Sequence, residues 1–356
     1  MKIASIVGAR PQFVKCAPVS EELRRKHEEI LIHTGQHYDY EMSKLFFDQL
    51  GIPKPDYNLG VGSSSHGEQT GKMLIEIEKI LMKEKPDVVL VYGDTNSTLA
   101  GGLASVKLHI PTGHVEGGLR SFDRSMPEEI NRILTDHLSN FLFVPTKTAV
   151  DNLKKEGISN GVYLVGDVMY DVLKRSIKVA EKSKIMKKLG ITPGEFFLAT
   201  VHRPSNTDNA KNLSNILEAF SEIKEKIVFP IHPRTLNFIK KHDLEKKIGK
   251  NILVVKPVSY FDFIWLEKNA KKILTDSGGI QKEAYILRVP CITLRENTEW
   301  IETIKDGWNV LVGADKEKIV DAAVHFKPKS KQRNLFGDGN ASKKIVKILS
   351  EHLSEV

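Results

Sequence analysis

The chain is predicted to be an α/β protein made of two doubly wound, Rossmann-like domains. Three features of its sequence predict this. Short β-branched runs alternate with longer helical patterns from one end to the other. The runs number roughly six in each half. Chemically loaded residues recur just after these runs, where open α/β sheets bind their ligands. Regular βαβ alternation calls for parallel sheets covered on both faces, and two such halves fit two open sheets better than one barrel. A length of 356 residues also exceeds what one compact core usually serves.

In order, the strands expected in the first half are Lys2–Gly8, Ile30–Thr34, Val88–Tyr92, Thr112–Glu116 and Leu142–Val144. The second half contributes Val162–Val165, Phe196–Val201, Ile227–Ile231, Ile252–Lys256, Lys272–Thr275, Cys291–Leu294 and Val310–Val312. Between them lie helical patterns such as Met42–Leu50, Gly67–Lys83, Glu128–Ser139, Asn212–Lys224 and Ile280–Leu287. The charged stretch around Tyr170–Thr192 marks the break, which gives an N-terminal domain of residues 1–170 and a C-terminal domain of 171–356. The last helix, about Ala341–His352, is able to pack on either domain, including back on the first.

Composition narrows the function. Hydrophobic residues make up 40% and charged residues 28%, an ordinary globular mix. The net charge of +8 suits an enzyme of anionic nucleotides. It lacks the basic stripe interleaved with aromatics that marks a nucleic-acid surface, so no nucleic-acid partner is expected. No run approaches the ~18 apolar residues of a membrane span. Two cysteines in no shared motif, Cys16 and Cys291, fit a reducing cytoplasm.

Six stretches carry the chemistry. "GARPQFVK", Gly8–Lys15, follows the first strand and sets Arg10 and Lys15 around a helix start marked by Pro11, an arrangement suited to an anion. It is not a GxGxxG turn, which weakens the case for a nicotinamide cofactor. "VYGDTNSTLAGGLAS" places Asp94 after a strand, and Gly101-Gly102 predicts close helix–sheet packing. In "HVEGGLRSFDRSMPEEINR", Glu116 ends a strand beside two glycines, and Glu128 and Glu129 open a helix behind Pro127. The helix dipole alone would account for Glu128 and Glu129; it does not account for Glu116. Asp94, Glu116 and Glu128 follow neighbouring strands and so can reach one site. "ATVHRPSNTDN" and "PIHPRT" repeat a His/Arg turn after successive strands, with His202 and Arg203 in one and His232 and Arg234 in the other. In "TDSGGIQKEA", Ser277, Gly278 and Gly279 sit at a helix N-terminus, where bare amides favour a diphosphate, and Glu283 lies where a ribose would hang. A plain glycine-rich turn would explain the last pattern equally well. No HExxH, CxxC or Asp-x-Asp spacing suggests a metal.

Assembled, these motifs resemble the non-hydrolysing UDP-N-acetylglucosamine 2-epimerases nearly end to end. "TGQH", "PEEINR", "HPRT" and "GDGNAS" also fall in that family's order. The resemblance implies two Rossmann-like domains facing a cleft (the glycosyltransferase-B type), a cytoplasmic homodimer and no cofactor. It implies that Ser277, Gly278, Gly279 and Glu283 hold diphosphate and ribose, with Arg10 and Lys15 reaching the ligand from the opposite domain. Phe263 would line the uracil pocket, and the main chain near Val258 would read the base edge. Asp94, Glu116, Glu128 and His202 match catalytic positions, with Arg132 beside them. Gln36, His37 and Gln69 match an activator site for allosteric UDP-GlcNAc. The implied reaction is elimination of UDP from UDP-N-acetylglucosamine to a 2-acetamidoglucal, then re-addition to give UDP-N-acetylmannosamine. One departure is Thr298-Glu-Trp-Ile-Glu302, where Trp300 replaces an arginine. The stretches at 35–47 and 63–73 depart as well. They are similar to relatives acting on diacetylated UDP-sugars, which gives epimerisation of a modified UDP-sugar as an alternative. A glycosyltransferase of the same architecture is a further one.

Overall fold

In a computed structural model of the chain, residues 1–36 and 53–352 are described, with only the backbone of Arg10. The helix expected at Met42–Leu50 and the expected activator residue His37 lie outside these. The chain forms two compact units, Met1–Val172 with Leu335–Val356, and Leu173–Asn334.

The first unit carries strands β1 (Lys2–Val7), β2 (Glu28–His33), β3 (Tyr57–Asn58), β4 (Val88–Tyr92), β5 (Thr112–Val115), β6 (Phe141–Val144) and β7 (Val162–Leu164). Their order across the sheet is β3-β2-β1-β4-β5-β6-β7, all parallel. The second unit carries β8 (Phe196–Thr200), β9 (Lys226–Pro230), β10 (Ile252–Val255), β11 (Lys272–Thr275), β12 (Cys291–Thr293) and β13 (Asn309–Leu311), in the order β10-β9-β8-β11-β12-β13, again all parallel. Each unit is thus doubly wound, and the winding reverses between β1 and β4 in one and between β8 and β11 in the other. Such reversal points open a crevice at the carboxyl ends of the strands. The sequence-predicted strands are all present; the two-residue edge strand Tyr57–Asn58 is additional.

Near-continuous apolar runs make strands that are buried on both faces. Val88–Tyr92, for instance, has no exposed surface. In the first unit, one core layer joins Ile3, Val7, Leu90 and Phe143 to Ile345, Val346 and Leu349 of the closing helix Ala341–His352. Asp171 fastens that helix, since its carboxylate accepts the Ala341 and Ser342 amides at 3.0 and 2.8 Å and the Ser342 hydroxyl at 2.6 Å. On the other face, the helix Asn96–Lys107 lies close against the sheet. A Cβ on Gly101 would stand 2.8 Å from Ile6 Cδ1 and 2.9 Å from Val91 Cγ1, so only glycine admits this approach. The second unit buries Leu198, Val228, Ile273 and Cys291 on one side of its sheet and Phe197, Phe229, Leu274 and Ile292 on the other.

Candidate active site

At the β1/β4 reversal, Gln12 ties the two strand ends together. Its carboxamide oxygen accepts the Gly8 and Ala9 amides at 2.8 and 3.0 Å, and its amide nitrogen donates to the Tyr92 carbonyl at 3.0 Å. This brings the turn after β1 beside Gly93 and Asp94. Lys15 forms an ion pair with Glu116, and both side chains are largely buried. The pair lies against Gly93, where a Cβ would meet Lys15 Nζ at 2.9 Å and Glu116 Oε2 at 3.6 Å. Lys15 was expected to hold an anion; in this structure its ammonium is engaged by Glu116. Glu116 leaves β5 with φ +74°, a left-handed conformation unusual for a residue other than glycine. Backbone strain of this kind gathers at functional sites.

Asp94 is held from the helix Pro127–Leu138. Arg132 donates to its Oδ2 from Nε at 3.1 Å and Nη2 at 2.6 Å, and Asn131 donates to its carbonyl at 3.0 Å. Arg132 also donates to Glu129 at 2.7 Å. Glu129, buried in the first turn of that helix, accepts the Ser121 and Phe122 amides, each at 2.9 Å. Burial opposes its ionisation, but those bonds and Arg132 outweigh it and hold the carboxyl below its usual range. Glu128, one residue earlier, is exposed. Lys15, Asp94, Glu116 and Arg132 therefore come together, and the buried acid that joins Arg132 to the loop is Glu129.

Beneath them, His114 Nδ1 lies 2.7 Å from Asp136 and its Nε2 2.7 Å from the Gly93 carbonyl. Asp136 also accepts Arg120 at 2.7 Å and the Gly118 amide at 3.0 Å. This fully buried lattice fixes the loop that bears Glu116. Gln36 and Gln69 are brought together as well, with 3.3 Å between the Gln69 amide nitrogen and the Gln36 carbonyl. Their side chains bind within the unit: Gln36 accepts from the Ser97 amide and hydroxyl, and Gln69 joins Gly62 and Asn96.

At the β8/β11 reversal of the second unit, the organising group is Asp276, which has no exposed surface. Its carboxylate accepts the His202 and Arg203 amides at 3.0 Å and Asn206 Nδ2 at 3.1 Å. Asn206 then donates to the Leu294 carbonyl at 2.9 Å. One carboxylate thus joins the ends of β8 and β11 to the segment after β12. His202 Nδ1 stands 3.5 Å from Asp276, and its ring centre is 6.3 Å from that of His232. Burial lowers the His202 imidazole below its ordinary value, against the pull of Asp276. Arg203 is half-buried and His232 exposed; His232 caps the next helix by accepting the Arg234 amide at 3.2 Å.

Ser277 starts the helix Gly278–Leu287, and its side chain caps none of the helix amides. Gly278 and Gly279 both have ordinary φ, so the turn itself does not require glycine. A Cβ on Gly278 would stand 3.2 Å from Glu299 Oε2 and 3.6 Å from Trp300 Nε1, whereas one on Gly279 would find nothing nearer than Ser277 Oγ at 3.9 Å. Gly278 is closed in by the 295–300 loop, and Gly279 keeps open space beside the first helical turn. Trp300 is buried, with Lys282 Nζ 4.1 Å from its ring centre. Val258 and Phe263 are half-buried and, with Ile280, cover the same apolar cluster. Glu283, one turn in, neighbours the fully buried Glu267.

Sequence reasoning passed over Asp276 and gave Glu129 only the part of an acid favoured by the helix dipole. Asp276 had a readable signal, an acid at a strand end before a glycine turn, like Asp94 and Glu116. Glu129 precedes Arg132 by three residues, the spacing of neighbours on a helix surface.

The sequence profile of the family described as UDP-N-acetylglucosamine 2-epimerase matches residues 21–350. The chain belongs to this family. It is 62% identical over 354 residues to a UDP-N-acetylglucosamine 2-epimerase homolog of Methanococcus maripaludis, spanning 98% of this chain and 99% of the relative. It is 48% identical over 361 residues to the UDP-2,3-diacetamido-2,3-dideoxy-D-glucuronate 2-epimerase of Pseudomonas aeruginosa, spanning 99% and 100%. The crystal structure of the Methanocaldococcus jannaschii UDP-GlcNAc 2-epimerase in complex with UDP-GlcNAc and UDP superposes with a TM-score of 0.86 at 49% identity, covering 99% of this chain and all of that one. The fold of this family member is of the glycosyltransferase-B type, shared with such epimerases.

Proposed function

We propose that this family member reversibly epimerises UDP-N-acetylglucosamine at C2 to UDP-N-acetylmannosamine. The observation that carries the reading is the pairing of two kinds of strand-end site in one chain. One is an open glycine turn at a helix N-terminus, and the other is a knot of ionisable groups around Asp94 and Glu116. In this reading the amides at Ser277, Gly278 and Gly279 hold the diphosphate, Glu283 takes the ribose hydroxyls, and Phe263 with the main chain at Val258 takes the uracil. Arg10, Arg203 and His232 add charge or donors to the anionic ligand.

The C2 hydrogen has no adjacent carbonyl, so simple enolisation is not open to it. A base takes the C2 proton while the C1–O bond breaks, its electron pair leaving with UDP and a C1=C2 double bond forming. Re-addition of the same UDP with protonation of the other face of C2 gives the epimer. General acids and bases act within about 3 Å of their proton, so two faces call for two groups. Asp94 and Glu116 are assigned to them, with Glu128 and His202 as further proton carriers. Arg132 holds Asp94 in position, and Lys15 does the same for Glu116. Helix amides and cations offset the charge that develops on the departing UDP.

The test is epimerisation in deuterium oxide. Deuterium at C2 of both UDP-sugars supports the reading, and UDP-N-acetylglucosamine recovered without exchange or epimer refutes it. The 48% identity to a diacetamido-glucuronate epimerase supports a second substrate, which is settled by presenting the enzyme with both UDP-sugars. Among the described residues no helix is long and apolar enough to cross a membrane. A homodimer working in the cytoplasm, with UDP-GlcNAc also acting as activator near Gln36 and Gln69, completes the proposal; light scattering and a rate-against-substrate curve test these two points.

A further inference from the structure

Six residues other than glycine take positive φ among the described residues, and two of them, Glu116 and Phe122, lie in the one loop between β5 and the helix Pro127–Leu138. Phe122 has φ +59° and is 74% exposed, the most exposed large hydrophobic side chain among the described residues. Glycine enters this backbone region freely and a bulky residue does not. A strained backbone carrying an unburied ring serves no packing purpose in the unit itself.

The loop is also tightly held. The Ser121 and Phe122 amides donate to the two oxygens of buried Glu129, each at 2.9 Å. Beyond the ring, Asp123 Oδ1 accepts the Ser125 amide at 3.0 Å and its hydroxyl at 2.6 Å, and the Asp123 carbonyl accepts the Met126 amide at 3.1 Å. Glu129 is joined through Arg132 to Asp94. The backbone that bears the ring is therefore held on both sides, two ionic links from a candidate catalytic carboxylate.

From this we infer that Phe122 caps the sugar during the reaction and retains the glycal intermediate. The inference rests on the epimerase reading. Once the C1–O bond has broken, UDP keeps its charge and its ionic contacts. The 2-acetamidoglucal is neutral and flattened at C1=C2, so an ionic site grips it weakly. A phenyl ring is the group suited to a flat, uncharged face, and it excludes water while the proton moves.

The experiment compares wild type with Phe122→Ala, Phe122→Tyr and Phe122→Gly. It measures epimer formed, UDP and glycal released together, UDP affinity, Tm and oligomeric state. Phe122→Ala is expected to raise released glycal per epimerisation event at least tenfold and to lower kcat, with UDP affinity changed less than twofold. Phe122→Tyr restores retention. Phe122→Gly leaks as alanine does, yet relieves the backbone and raises Tm by about 2–4 °C. A wild-type release ratio and kcat in Phe122→Ala overturn the inference while leaving the epimerase reading intact. Release accompanied by loss of an oligomer also overturns it, because the ring then serves a second copy of the chain. A wild-type enzyme that epimerises neither UDP-sugar removes both readings.

Discussion

Replacing Gly279 with alanine separates the two purposes a bare helix start can have. The new methyl would find its nearest heavy atom, Ser277 Oγ, at 3.9 Å, which is ordinary contact. The backbone is not in the left-handed region, so alanine enters without strain. Glycine in a helix is less stable than alanine by roughly 0.5–1 kcal/mol, so the variant should be as stable as wild type or slightly more so. If a diphosphate oxygen approaches the amide here, the methyl occupies its place. Losing one hydrogen bond to a charged group costs about 1.5–3 kcal/mol, or roughly 10- to 150-fold in affinity. Calorimetric titration with UDP, beside a urea melt, measures both quantities. UDP affinity within twofold of wild type would refute the reasoning. Gly278→Ala is the contrast. Its methyl would stand 3.2 Å from Glu299, which Arg295 holds at 2.9 Å, so stability should fall along with affinity.

Three more outcomes are expected. Asp276→Asn turns an amide toward the donors on His202, Arg203 and Asn206; it should cost about 1–3 kcal/mol in a urea melt and reduce kcat as His202 loses its support. Glu267 is fully buried beside Glu283; burial first, then the charge of Glu283 and a hydrogen bond with it, push its acid well above the usual value of 4.5. A raised folded value means the stability contribution is whole below 4.5 and lost as pH rises, so Glu267→Met should stabilise the protein by more at pH 8 than at pH 5, as read from Tm. Glu129 has the opposite sign. Its lowered value gives stability that is present above 4.5 and lost as pH falls through the folded value, so Glu129→Gln should weaken the protein at pH 7 and flatten its acid unfolding curve below pH 4.5.

The strands were legible because most are short runs of three to six residues, largely apolar and often β-branched, and such runs have few other homes. Tyr57–Asn58 was not, because two residues make no pattern. The expected strand ends ran one residue long at Gly8, Thr34, Glu116, Val165, Val201, Ile231, Lys256, Leu294 and Val312. Hydrophobicity and propensity carry no sign of where a ladder stops, and several of these residues are where the chain turns off the sheet to build the site. Glu116 is the clearest case, with the backbone turning left-handed just where alternation suggested one more strand residue. The glycine turn and the acids beside it were visible as residues, but their partners were not. Asp276 acts on amides more than seventy positions earlier, and Lys15 is matched to an acid 101 residues away. Pairings of that range follow from the winding of the sheet and leave no local trace.

The closing helix bears on how the chain is made. Residues 173–334 form one unbroken stretch, set within a first unit whose two pieces lie on either side of it. As synthesis proceeds, that inner unit has every strand of its sheet once β13 has emerged. The outer unit is still lacking Ile345, Val346 and Leu349 at that moment, and Asp171 has no amides to cap. The half bearing the glycine turn can therefore mature first on the ribosome, and the half bearing Asp94 and Glu116 completes its core only afterwards.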